Sequence, residues 1–451
     1  YHGVYINLNK APQSANKEEV FLQGSEKATF LIDQDKFSCI PGSPIAYWIS
    51  EKLRETFAGS LSIESVAPVR QGFQTGDNDR FLRLWHEVDF SKFEFNAESK
   101  DQVWSKNKKW VPYNKGGDFK KWFGNNDYVV AFDHDNYNQL STLGNCLPSR
   151  NLYFKKSITW SALTSSHFGA RLSPKGFTFS AKGACAFPSS ELDFSLVCSL
   201  LNSEVARKSL EFLAPTLDFN VGDIRRIPFC VSEHSKSIIH KNFFEIQDIA
   251  QSDWNSFEFS WLFLKSPLLK VAQNSIRNSL QSHVESGRNL TKKLKAIEEE
   301  NNKIFAENYG LEGEVDTDVP DEIVTIYSNP IYRYGKTQDF ESLSFRFQSE
   351  TLSELVCYTI GCIMGRYSLD QEGLVYARSS NQGFAELVAE GTYKTFPADS
   401  DGILPLTDQE WFADDASDRF REFVRTVWGE AYLQENLDFV AESLCLYAIK
   451  P

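Results

Sequence analysis

Hydrophobic and polar positions change rhythm along this chain. Between residues 60 and 230, short apolar runs are broken by Gly, Asn and Asp; beyond residue 239, apolar positions recur at helical spacing. In the first stretch, YVVAFD (128–133), NLYFKKSITWSAL (151–163) and GFTFSAKGACAF (176–187) read as strands, bounded by turn-forming residues. Leu196, Leu200, Leu201, Val205 and Leu210 predict one amphipathic helix over 194–213. Upstream, IPGSPIAYWIS (40–50) sets Pro and Gly ahead of Ile45, Tyr47 and Trp48 and leads into a helix through Leu53 and Phe57. Residues 1–40 are mostly polar around one apolar run, ATFLI (28–32).

The second half reads as helical. Residues 255–270 are aromatic-rich, with Pro267 marking a break, and 284–309 form a long charged helix that Gly310 can terminate. GEVDTDVPDE (313–322) is an acidic loop around Pro320. Further helices are expected over 352–367 and 415–446, separated by Gly/Ser/Asp-rich loop material at 379–401. No internal repeat is evident. The fold class is α+β, an α/β unit followed by a mainly helical region.

Composition narrows this picture. A chain of 451 residues has room for about two to four domains. With 41% hydrophobic and 14% aromatic residues it can bury real cores. The net charge of −14 argues against a uniformly basic nucleic-acid binder. Residues 70–230, however, carry 21 Lys and Arg against 17 Asp and Glu, a net +4 that leaves −18 for the rest. Eight scattered cysteines with no C-x-x-C pair read as reduced thiols of a cytosolic protein, without zinc or disulfides. No apolar run reaches the ~18 residues of a membrane span. A start at Tyr1 and a stop at Pro451 directly after a helical pattern suggest a piece of a longer polypeptide.

The strongest chemical signal is RQGFQTGDNDRFLR (70–83), a Gly-rich turn carrying Thr75, Asn78 and Arg80. Such a turn can offer backbone N–H groups, short polar side chains and a guanidinium to phosphates or base edges. Its counterpart is PTLDFNVGDIRRIP (215–228), where Arg225 or Arg226 could reach phosphate or pair with Asp223 or Asp218. Between them, Lys106, Lys108, Lys109, Lys115, Lys120 and Lys121 alternate with Trp104, Trp110, Tyr113, Phe119 and Trp122. Cations can neutralise phosphates while amides and guanidinium groups read bases. A solvated basic loop over an aromatic core is the alternative, and under both readings the aromatics pack inward. Strand alternation would place Lys156 and Trp160 on one face and Lys155 on the other. His134, between Asp133 and Asp135, lacks further residues at metal-ligand spacing and reads as loop or strand end. His167 reads as a hydrogen-bonded structural residue or, less directly, a DNA neighbour. The Glu298-Glu299-Glu300 run is expected to be solvated or to face Lys292–Lys295.

Catalytic machinery is not legible. An amino-methyltransferase needs a Gly-rich cofactor loop and an Asp/Asn/Ser-Pro-Pro-aromatic tetrapeptide that holds the flipped base. The chain contains no Pro-Pro, and Ser328-Asn-Pro-Ile331 lacks both the second proline and the aromatic. No catalytic residue, metal ligand or cofactor is assigned to this chain.

The two brackets at 70–83 and 215–228 resemble the beginning and end of a target recognition domain. That module reads DNA in type I specificity subunits and fused restriction-modification methyltransferases. The interior KWVPYNKGGDFKKWFGNNDYVV (109–130) resembles the adenine-specific DNA methyltransferases of BREX phage-defence systems, the PglX/BrxX family. The likeness continues through EEENNKIFAENYGL, GCIMGRYSLD and WFADDASDRFREFV. It implies the tail of a methyltransferase domain plus a connector over 1–40, a target recognition domain over 41–235, and a helical spacer and C-terminal region over 236–451. It implies the sequence-reading portion of an enzyme that methylates adenine N6 and marks host DNA as self. S-adenosylmethionine would serve the full-length enzyme, and the setting would be a bacterial cytoplasm, at the nucleoid. Double-stranded DNA is the expected partner, with other phage-defence proteins possible and no membrane. The expected DNA contacts are Arg70, Gln74, Thr75, Asn78, Arg80, Lys106, Lys108, Lys109, Asn114, Lys115, Lys120, Lys121, Lys156 and Arg225. A fused type II restriction-modification enzyme would use the same module, and a protein-interaction scaffold would need no DNA.

Overall fold

Glycine and asparagine breaks keep the strands of the first half short. The computed structural model describes residues 1–8, 14–23, 29–40, 42–164, 167–216, 218–270, 273–336, 339–378, 382–407 and 411–445. Among these the strands are β1 (His2–Ile6), β2 (Thr29–Asp33), β3 (Leu61–Ser62), β4 (Val69–Arg70), β5 (Leu82–Leu84), β6 (Trp110–Asn114), β7 (Tyr128–Ala131), β8 (Ser157–Trp160), β9 (Ala170–Ser173), β10 (Thr178–Phe179), β11 (Cys185–Ala186) and β12 (Pro228–Phe229). They form small sheets: β1-β2, β10-β6-β7-β5, β4-β11-β8-β9 and β12-β3. The β6–β10 pair is parallel, with Tyr113 opposite Thr178 and Asn114 opposite Phe179. The other ladders are antiparallel.

The two sequence brackets meet in space. β12 pairs with β3, and Ile63 N donates to Ile227 O at 2.9 Å. Residues 70–73 then join the two larger sheets, because Arg70 pairs with Cys185 while Phe73 bridges Ser180. Gly72 permits that approach: a Cβ there would lie 1.9 Å from Phe179 O.

The helices used below are α1 (Glu51–Gly59), α2 (Asn78–Phe81), α3 (Glu191–Leu201), α4 (Glu204–Leu213), α5 (Glu233–Trp254), α6 (Ile276–Asn308), α7 (Phe340–Ile363), α8 (Ala416–Trp428) and α9 (Leu433–Ser443). The single helix expected over 194–213 is two. Asn202 binds the Ala170 backbone in both directions at 2.9 Å, and Ser203 Oγ accepts from Ala206 N, so one helix stops and another starts. The expected helix over 415–446 likewise divides at Gly429, whose φ is +81°. The strand expected over 151–163 occupies only β8, and that expected over 176–187 splits into β10 and β11. Within the expected loop 379–401 a short helix covers Phe384–Ala389, and residues 379–381 lie outside the described residues, as does residue 28 of the apolar run 28–32.

Among the described residues, three apolar cores result. The largest runs from Ile40 to Ile326 and joins α1, β8, β9, α3, α4, α5 and the second half of α6. All eight residues from Phe194 to Leu201 are buried in it, because α3 is covered by the sheet on one side and α5 on the other. A second core fills the β10-β6-β7-β5 sheet, and a third holds α7, α8 and α9 together. The aromatic stretch that begins at the last residue of α5 touches all three: Trp254 lies in the first, Trp261 packs on the second and Phe263 lies in the third. Among the described residues, no helix is long and apolar enough to cross a membrane.

Candidate nucleic-acid interface

The turn at 74–80 is held from below and open above. Asp77 caps α2 by accepting from Arg80 N at 3.1 Å, and Gly76 turns the chain with φ +74°. Asn145 supports the turn from behind, accepting from Gln74 N at 2.7 Å and donating to Gly72 O at 3.0 Å. Thr75 is buried, and its hydroxyl donates to Asn78 Oδ1 at 2.7 Å. Lys115 Nζ donates to the same oxygen at 3.2 Å. Asn78 Oδ1 therefore has both lone pairs occupied, and its amide nitrogen has no hydrogen-bond partner among the described residues. Gln74, Asn78 and Arg80 are exposed. The Arg80 guanidinium lies 5.0 Å from the Phe81 ring centroid and enters no ion pair among the described residues.

Gln74, Thr75, Gly76, Asn78 and Lys115 line an open cleft of about 310 Å³ with Tyr113, Ser180 and Lys182, and Arg80 lies on α2 outside that lining. The cleft lies at the C-terminal ends of β6 and β10: Lys115 follows one strand and Ser180 the other. Burial depresses the ammonium pKa of Lys115. Lys182 was not among the residues expected from sequence; its Nζ pairs with Asp218 at 3.2 Å. The signal available for it was a lysine between two short strands, next to Gly183, where a Cβ would strike Asn114 O at 2.3 Å.

The structure does not bring the other expected contacts to this cleft, and for several the physical reason is plain. Lys121 is buried, its Nζ 2.5 Å from Glu298 Oε2, and Trp122 Nε1 donates to the other oxygen of that carboxylate. Glu298 is thus neither solvated nor turned toward Lys292–Lys295; it is 4% exposed. Lys120 is also buried, its Nζ 4.1 Å from the Tyr327 ring centroid and 5.3 Å from that of Tyr332. Burial lowers its pKa to about 8. Neither cation is at the surface for a phosphate. Asn114 is buried too, donating to Ser173 Oγ at 2.8 Å. Arg70 pairs with Glu64 at 2.6 Å and Lys106 with Glu94 at 2.8 Å, while Lys108 donates to Ser91 O. Lys156 precedes β8 rather than lying in it, and it meets Glu191 at 2.7 Å and the Phe194 ring at 4.4 Å. Lys109 is exposed beside the Trp110 ring. Arg225 is exposed, whereas Arg226 pairs with Asp223 at 2.6 Å.

Arg171, 2% exposed, is pushed down to about 10 by burial, and burial raises Asp127 to about 6 against the pull of that arginine. Asp133 caps the short helix that begins at His134, which is exposed beside Asn138. The His167 ring lies 5.3 Å from that of Phe119. Among the described residues, no group of three His, Cys, Asp or Glu side chains could hold a metal ion. The residues at 328–331 do not fit a base clamp. Asn329 caps the helix Pro330–Tyr334 and donates to Asp321 O and Val324 O, while Ser328 Oγ donates to Asp253 at 2.6 Å.

No family profile matches the chain. It is 42% identical over 421 residues to "Adenine-specific methyltransferase BrxX" of Escherichia coli O9:H4 (strain HS), an alignment covering 93% of this chain and 34% of that protein. It is 33% identical over 461 residues to "Adenine-specific methyltransferase PglX" of Lacticaseibacillus casei (strain Zhang), covering 98% of this chain and 36% of that protein. The chain spans about a third of the length of the curated relatives it matches.

Proposed function

The chain belongs to the PglX/BrxX family of BREX adenine-specific methyltransferases, and from that premise we propose that it is the portion that recognises the DNA site. Supporting this is the cleft, where the exposed Asn78 and two lysines meet at the ends of two parallel strands, with the exposed Arg80 two residues beyond Asn78 on α2. Lys115 and Lys182 take backbone phosphates and set register; Arg80 reads a guanine edge through O6 and N7. Asn78 as it stands can only donate, so a two-bond contact to adenine requires its oxygen to be released. Transfer of Lys115 from Asn78 Oδ1 to a phosphate releases it, coupling backbone docking to base reading. Lys109 and Arg225 add exposed positive charge; Lys120, Lys121 and Asn114 are buried, and Arg70 and Lys156 are paired outside the cleft, so these are not assigned to DNA.

The full-length enzyme would methylate adenine N6 with S-adenosylmethionine and mark host DNA as self. That cofactor would supply the methyl group; the sequence has no Pro-Pro-aromatic motif, and the proposed role of its own residues is to bind and orient DNA. Recognition over 41–235, with the helical remainder as spacer, remains part of this proposal.

The test is DNA binding of the wild-type chain and of Lys115→Ala and Arg80→Ala across salt concentrations. Lys115→Ala should weaken binding to all sequences alike and reduce the salt slope of log K by about 0.9. In the full-length enzyme, Arg80→Ala should relax the methylated motif at one position. An unchanged slope together with an unchanged motif would remove the cleft from DNA recognition.

A further inference from the structure

The backbone that borders the cleft is gripped from two sides. On one, Gly72 N and Phe73 N donate to Ser180 O and Phe179 O at 3.3 and 3.0 Å. On the other stands the loop 143–150, which sends three hydrogen bonds into residues 71–74. Ser149 Oγ donates to Gln71 O at 3.1 Å, and the two ends of the Asn145 carboxamide hold Gly72 O and Gln74 N. Gly144 presses its backbone on the same place. A Cβ there would lie 2.1 Å from Gln74 O, and one on Gly76 would lie 3.2 Å from Gly144 N.

The loop keeps a shape that its side chains disfavour. Cys146, Leu147 and Ser149 have φ of +59°, +53° and +57°, the left-handed region uncommon for residues other than glycine. Leu147 is buried in the second core, and the Arg150 guanidinium donates to Cys146 O and Leu147 O at 3.0 and 3.3 Å, which fixes that shape. Such strain persists only where the surroundings hold it, and it clusters at ligand-binding segments. What this loop holds in place is Gln74, exposed on the cleft lining. A carboxamide reads a base edge through two hydrogen bonds together, which requires its backbone to be held within about 0.5 Å. We propose that Asn145 is a positioning residue for sequence reading: through Gln74 N it sets where the Gln74 carboxamide meets a base. This rests on the cleft reading DNA as proposed above.

Methylome sequencing of cells carrying the full-length enzyme tests this, with thermal unfolding of each variant alongside. Gln74→Ala should relax the methylated motif at one position, where a lost two-bond contact lowers discrimination about 5- to 150-fold. Asn145→Ala should relax that same position, and the double variant no further one. Asn145→Asp still accepts from Gln74 N and should keep the motif, its added charge lowering occupancy alone. A brace with a purely structural role would lower stability and occupancy and leave the motif intact. That result for Asn145→Ala, beside a relaxed motif for Gln74→Ala, overturns the proposal, as does an intact motif for Gln74→Ala. Should Asn145→Ala not fold, Gly144→Ala, which keeps Asn145 and pushes Gln74 O aside, carries the same expectation and the same refutation. An unchanged motif for Arg80→Ala, joined to an unchanged salt slope for Lys115→Ala, faults the DNA cleft itself. A motif that depends on Arg80 and ignores Asn145 faults the positioning role alone.

Discussion

The Lys121–Glu298 pair joins the β-rich half of the chain to α6 and provides the sharpest energetic test. Both side chains are nearly buried, at 6% and 4% exposure, and 177 residues separate them. Thr325 Oγ1 accepts from Lys121 N at 3.0 Å, so the lysine is held at both ends. Removing one member strands the other charge in a low-dielectric interior, typically a loss of about 3–5 kcal/mol. Glu298→Gln isolates this effect because its amide oxygen can still accept from Trp122 Nε1. Lys121→Met removes the cation and keeps most of the side-chain volume. Each single variant should therefore lose about 3–5 kcal/mol, whereas the double variant, with no buried charge left, should lie within about 2 kcal/mol of wild type. Urea unfolding of all four proteins gives the coupling energy directly. If the double variant loses as much as the two singles added together, the pair is not electrostatically coupled and the reasoning fails.

Asp127→Asn should gain stability over wild type as pH rises. The folded carboxyl, at about 6, lies above its ordinary value near 3.8, so its contribution is fully present below 3.8 and lost as pH climbs through 6. The relative gain above pH 7 is capped at about 3 kcal/mol and lowered by loss of a negative neighbour for Arg171; a stability difference that stays flat from pH 4 to 7 would contradict this. Gly72→Ala must part residues 72–73 from 179–180, breaking the 3.0 Å bond from Phe73 N to Phe179 O. A loss of about 3 kcal/mol or more is expected, and an unchanged thermal midpoint would refute it. Incubated with labelled S-adenosylmethionine and plasmid, the chain should transfer no methyl group; incorporation above background would reveal an active site overlooked in these residues.

The helices and the inward packing of the aromatics were legible because each is written locally. Trp110, Tyr113 and Trp122 are buried beneath a run of lysines, as their alternation suggested. Which lysines stay outside was not legible: Lys115 and Lys121 look alike in sequence, and only the fold sets one beside Asn78 and the other against Glu298. A partial clue existed. Leu294, Ile297, Glu298, Asn301, Asn302 and Phe305 fall on one stripe of α6, which marks Glu298 as a buried carboxylate seeking a cation. The break at Asn202–Ser203 was missed because helical periodicity runs straight through it, whereas the capping chemistry of Asn and Ser pointed the other way.

If residues 41–235 read DNA as proposed, the segment from Trp254 to Phe263 bears on where that unit can be exchanged between relatives. A chimera that exchanged only residues 41–235 between relatives would part the second core from the Trp261 ring, which lies 5.4 Å from Phe93 and 5.8 Å from Phe177. It would also set a foreign surface against Trp254, above which Gly124 leaves no room for a side chain. A transplant is better cut after Phe263, so that α5 and its aromatic tail travel with the sheets they grew up against.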